Sequence, residues 1–186
     1  MKRMMNNLIA VVILGTALAG GALAQSPSTG SSIKTEKVQM AVVEFTPEPN
    51  ASGMTTEAKR QLQASIAFRL MKTNRFHVVD VRHTREASQA DLVAVNGAST
   101  AAAVRVGKQL GVSYVLTGTV VEYNTKGSAT LKTRLVEVAT GKVKHTDELS
   151  HQSPKEMRTG GDVEMKTYVL LPITLRLAET LTAEIL

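Results

Sequence analysis

The chain has 186 residues, a formal charge of +6 and 43% hydrophobic residues, enough apolar material for a packed core of single-domain size. It contains no cysteine, which excludes disulfides, thiolate metal sites and a cysteine nucleophile together. Tryptophan is absent and aromatic residues are scarce, so the moderate basicity carries no nucleic-acid signature.

Lys2 and Arg3 precede a short apolar stretch from Leu8 to Gly20, and Ala22-Leu23-Ala24 forms an A-x-A site. Residues 1–24 therefore read as a secretory signal peptide cut before Gln25. The apolar run is more broken than the roughly 20 residues a spanning helix needs. Cleavage would leave a mature chain of charge +4 in the periplasm, with no transmembrane segment and no cysteine for the acyl anchor of a bacterial lipoprotein. Residues 25–37 are rich in Ser, Thr, Pro and Lys and predict a flexible linker, because they cannot bury enough apolar area to offset the entropy of ordering.

The folded part begins with residues 38–45 (VQMAVVEF), whose near-continuous apolar run fits a strand covered on both faces. Pro47 and Pro49 are expected to stop it. Thr55 or Thr56 then caps a helix to about Thr73, with Leu62, Ile66 and Leu70 on one stripe and Lys59, Gln63 and Arg69 elsewhere. Asn74 ends this helix, and residues 76–81 (FHVVDV) supply a second strand, parallel to the first by the strand-helix-strand spacing. A short polar helix is expected over 84–92 and a loop over 93–99, where Asn96-Gly97 signals a turn.

Ser99 or Thr100 caps a helix over 101–110 that turns Ala103, Val104 and Leu110 inward, and Gly111 closes it by taking positive φ. A strand over 113–123 follows. Gly118 within it predicts either a bulge or the close approach of a helix backbone. Residues 124–127 make a tight turn, after which Ala129, Leu131, Thr133 and Leu135 alternate with Thr130, Lys132, Arg134 and Val136. With a turn at 139–142 and a strand over 143–151, these segments form an antiparallel meander. A polar loop over 153–166 leads to a final helix opened by Pro172, with Ile173, Leu177, Leu181 and Ile185 on one stripe. The sequence thus predicts one α/β domain over 38–186, a mixed sheet in the order β-α-β-α-β-β-β-α with helices packed on it.

Catalytic chemistry finds little to work with. His145 and His151 share a strand face but lie about 20 Å apart at a strand's rise, and His77 and His83 have no acidic partner pattern, so neither pair has ligand spacing. No serine stands in a G-x-S-x-G turn, and Asp80, Asp147 and Glu148 have no evident paired carboxylate. The segment Gly97-Ala98-Ser99-Thr100 offers backbone N–H groups to an anion, but a capped loop accounts for it more simply. No catalytic, cofactor or metal residue is assigned, and the chain is expected not to be an enzyme. The candidate interaction patch is basic: Lys126, Lys132, Arg134, Lys142 and Lys144, on two neighbouring strands and their turns, with Glu137 the nearby acid. Together they would attract anionic envelope surfaces or an acidic protein, while an ordinary solvated face with edge-protecting lysines is the plainer alternative.

The ordered set AVVEF, MKTNRFHVVDVR, LGVSYVLTGTVVEY and LVEVATGKV resembles the CsgG-like family of bacterial envelope proteins, whose relatives include LpoB-type activators of penicillin-binding proteins and PelC-type ring components. The resemblance implies a domain like the anticodon-binding fold, used for contacts with envelope proteins and for self-association into rings. The curli channel of that family carries two long insertions that make transmembrane hairpins. Here only residues 124–127 stand at the first point and a short polar loop at the second, whereas a spanning strand needs about 9 to 11 residues. The resemblance therefore implies a periplasmic accessory protein of a secretion or surface-assembly system, with an activator of a peptidoglycan synthase or a small-ligand module as alternatives.

Overall fold

The computed structural model describes residues 36–185 apart from 88, 97, 155, 158 and 160. The expected signal peptide and all but the last two residues of the expected linker lie outside the described residues.

Strand β1 (Val38–Val42) sends Met40 and Val42 to one face of the sheet and Ala41 to the other, where each joins a separate apolar cluster. That two-sided burial is why its sequence is apolar throughout. The prolines do not end the strand's path as expected. The chain breaks from the ladder over residues 43–45 and then pairs again as β2 (Thr46–Pro47), opposite Thr119 and Val120. Pro47 is tolerated because its missing N–H falls in a two-residue segment, and the flanking donors of Val43 and Glu48 reach Leu116 O and Val120 O, each at 2.9 Å.

Helix α1 (Thr56–Lys72) is capped by Thr55, whose hydroxyl accepts from Ala58 N, and ends before Asn74, which adopts φ 63°. Its buried stripe includes Leu62, Ile66 and Leu70. Gln63 is buried as well, and its amide donates to Val42 O at 2.7 Å. Strand β3 (Phe76–Val78) is shorter than expected because Asp80 accepts from Arg82 N and starts α2 (Val81–Glu86) at once. The expected loop over 93–99 is also corrected: α3 (Gln89–Asn96) occupies most of it. Buried Ala87 and Val95 pack into the cluster on that side of the sheet and carry the helix up to Asn96, after which the turn follows at Ala98.

Helix α4 (Thr100–Leu110) is capped by Ser99 and closed by Gly111 at φ 66°. Its inward residues are Ala102, Ala103, Val106 and Gly107, whereas Val104 and Leu110, expected inside, are partly exposed. Strands β4 (Tyr114–Asn124), β5 (Ser128–Glu137) and β6 (Val143–Gln152) form the antiparallel meander. The sheet order is β3-β1-β4-β5-β6, parallel through β4 and antiparallel beyond it. Gly118 serves neither expected purpose. The bulge falls between Val120 and Glu122, and Gly118 instead admits the Phe45 ring.

The final helix starts well before Pro172. Helix α5 (Asp162–Met165) runs through a π-turn (Lys166–Leu170) into α6 (Leu171–Glu184). Within a regular helix the Pro172 ring would meet the carbonyl four residues back. The wider turn, in which Leu171 N reaches Lys166 O, relieves that conflict just upstream. Helices α1 and α6 cover one face of the sheet around Phe45, Leu116, Leu135 and Leu177. Helices α3 and α4 cover part of the other around Ala41, Val106, Val115 and Val136. Among the described residues no helix is long and apolar enough to cross a membrane.

Candidate functional site

The α3–α4 layer covers only the end of its sheet face where Val115 and Val136 lie paired. Beyond them the same face is polar. Cross-strand partners project to the same side, so the register sets out two rows: Thr117, Arg134 and Thr146, then Thr119, Lys132 and Glu148. Thr130 and Ser150 form a further pair, their hydroxyls 3.0 Å apart. The alternation of β5 makes this arrangement, because Leu131, Thr133 and Leu135 on the opposite side are buried.

Arg134 stands at the boundary between covered and open halves. Its guanidinium donates to the carbonyls of Ala98 and Val95, in and beside the turn joining α3 to α4. Ala98 has φ 69°, and Ser99 both closes the turn through its N–H to Ala94 O and caps α4. The turn weighed as an anion cradle is therefore a capped connection whose carbonyls face a cation. Burial lowers the Arg134 pKa from its ordinary value. A recess of about 200 Å³ lies beside this clasp, lined by Val95, Ala98, Thr117, Lys132 and Thr146 among others. Ligand sites commonly enclose about 300 to 1,000 Å³, so the recess is small for that purpose.

The five basic residues do not come together as one cluster. Lys126 lies in the turn at one end of β5 and Lys142 in the turn at the other, about 30 Å apart along the strand. Lys132 pairs with Glu148 at 3.6 Å, and Lys144 with Glu137 at 3.3 Å. Glu137 is thus not the one acid near these cations, since Glu148 pairs with Lys132. Glu137 is held below the usual carboxylate range, first by the hydroxyl of Thr140, with Lys144 and Tyr114 adding to it. The Lys132–Glu148 pair is half-exposed on both sides and fixes little in stability, but it leaves the open face mixed in sign.

Some contacts had no legible sequence signal. His145 is buried and bonds through Nδ1 to Glu184 of α6, while its Nε2 has no partner among the described residues. Thr119 donates to Glu48 at 3.2 Å, tying the end of β2 to the open face. Among the described residues no three His, Asp or Glu side chains gather as a metal-binding group.

No protein-family model matches the chain, and no curated protein matches it in sequence. Among solved structures it is similar to lipoprotein GNA1162 from Neisseria meningitidis, with 20% identity and a TM-score of 0.51 over 80% of this chain and 96% of that one. It is similar also to the hypothetical protein CT253 from Chlamydia trachomatis, with 11% identity and a TM-score of 0.55 over 81% and 96%. The LpoB C-terminal domain from Salmonella enterica aligns with 21% identity and a TM-score of 0.47, over 63% and 84%. At these identities the likeness to the first two is one of fold.

Proposed function

We propose that this chain is a non-enzymatic accessory protein of the bacterial cell envelope, CsgG-like but without membrane hairpins, that works in the periplasm through protein–protein contacts. The observation that carries the reading is the half of the sheet face left open beside α3 and α4. It presents hydroxyls and the Lys132–Glu148 pair around a small recess rather than a deep pocket. Such a surface suits recognition of another protein, whose own polar groups replace water at Thr146, Glu148 and Ser150. The fold shared with a lipoprotein fits the envelope setting, as does the export signal expected in residues 1–24. The three residues between β4 and β5 leave no room for a spanning hairpin there.

Site-specific crosslinking in cells tests this reading. A photoreactive phenylalanine derivative at Thr146 or at Glu148 is expected to capture a defined envelope protein. The same group at Thr140, in the turn at the far end of β5, is expected to capture none. A secretion or assembly component supports the main reading, and a peptidoglycan synthase would replace it with the activator reading. Adducts no different from those at Thr140 would refute the open face as the binding surface.

A further inference from the structure

A second surface lies on the opposite side of the molecule, where α1 and α6 show their outer faces. Phe68 and Met71 of α1 and Leu175 of α6 are among the few large apolar side chains left exposed, at 48%, 45% and 39%. Phe68 and Met71 lie three residues apart, so they share a helix face. Between α1 and the start of α6 runs an open groove of about 360 Å³ lined by Ala64, Phe68 and Leu171, with Arg69 and Lys166 on its walls. Leu175 stands one turn beyond Leu171 on the same side of α6.

The charges beside Phe68 are positive, while Asp80, which shares a recess with Met71, accepts from Arg82 N. The Arg69 guanidinium and the Lys72 ammonium lie 5.7 and 5.3 Å from the centre of the Phe68 ring, so the cations sit beside the apolar tip. Arg69, Lys72 and Lys166 make no salt bridge among the described residues. The acid of α1, Glu57, lies eleven residues before Phe68 and accepts from Gln61, and on α6 Glu179 comes a turn after Leu175. This is the reverse of the open sheet face, where Lys132 has a carboxylate partner in Glu148. Apolar side chains projecting from a helix among unpaired cations match a bilayer interface whose headgroups are anionic: the side chains enter the acyl boundary while the cations meet phosphate.

We infer that the outer face of α1 and α6, centred on Phe68 and Met71 and flanked by Arg69, Lys72 and Lys166, binds an anionic phospholipid surface. The inference is independent of the crosslinking surface proposed above. It leaves the open half of the sheet facing away from the bilayer for a protein partner.

The test is co-sedimentation of the full chain with vesicles of phosphatidylcholine alone and of phosphatidylcholine mixed with phosphatidylglycerol. The readout is the gain in binding produced by phosphatidylglycerol over phosphatidylcholine alone. Arg69→Gln with Lys72→Gln is expected to lower that gain about 25-fold, at roughly fivefold per cation. Phe68→Ser with Met71→Ser is expected to weaken binding to the mixed vesicles while thermal unfolding, followed by circular dichroism, stays unchanged, since these side chains are exposed. Lys132→Gln with Lys142→Gln is expected to leave the gain intact. Loss through Lys132→Gln with Lys142→Gln and none through Arg69→Gln with Lys72→Gln would overturn the proposal. So would a change in molar mass by light scattering at unchanged vesicle binding, which would assign the face to a second copy.

Discussion

The Phe45 ring packs against Gly118 so closely that a Cβ at that glycine would stand 2.7 Å from the ring's Cε2 and 2.2 Å from the carbonyl oxygen of Lys132. Both neighbours are fixed, one in the core and one in the strand ladder. Gly118→Ala is therefore expected to destabilise the fold by about 3 kcal/mol, at the upper end of the usual cost of overpacking. Urea unfolding would measure it. Adding Phe45→Leu should restore only part, because the contact with the Lys132 carbonyl remains.

Gln63 is a polar residue on a buried helix face, placed to satisfy the Val42 carbonyl where the chain leaves β1. Gln63→Leu preserves the bulk and removes the donor. The carbonyl would then be buried without a partner, at a cost of about 1 to 3 kcal/mol. An equal or greater unfolding midpoint for the leucine variant would show that water or another donor takes the place.

These two contacts mark the limit of what the sequence disclosed. Alternation along β5 and the glycine at Gly111 placed the meander and the end of α4, because period and positive φ are local properties that residue types report directly. Phe45 against Gly118 and Gln63 against Val42 join positions far apart in the chain, and no local pattern encodes such a meeting. The missed helical turns have the same origin. Residues 93–96 and 162–170 are helical because Val95, Met165 and Val169 find cover in the core. The basic patch failed to converge for a simpler reason: residues at the two ends of a ten-residue strand are neighbours in the connectivity but not in space.

Arg134 holds the α3–α4 turn from across the sheet by donating to two carbonyls. Removing it should loosen that layer and spare the rest. Arg134→Met is expected to cost about 1 to 2 kcal/mol, discounted from a fully buried charged pair of bonds because the side chain is partly exposed. Hydrogen exchange should quicken across residues 89–110 with little change in β4 and β5. Arg134→Lys should behave much like the methionine variant, since one ammonium cannot span two carbonyls as the planar fork does. Full protection in the lysine variant would reduce the contact to one of charge alone.

Tyr123 gives the fold a response to alkali. It is buried in the cluster beneath α1 and α6, and its phenol is pushed up from 10.0 to about 12, first by burial and then by the negative charge of Asp162. The raised value means that the folded state holds the proton more tightly than the unfolded chain does. Its contribution to stability is complete below pH 10, where both states are neutral, and is lost as pH rises from there through 12. Absorbance at the phenolate band should show a step near 12 that disappears in Tyr123→Phe. Asp162→Asn should lower the step toward 10 without reaching it, because burial is the larger cause and remains. If the wild type instead differed from Tyr123→Phe by a step at the ordinary tyrosine value, solvent would reach the hydroxyl and β4 would be open near Tyr123.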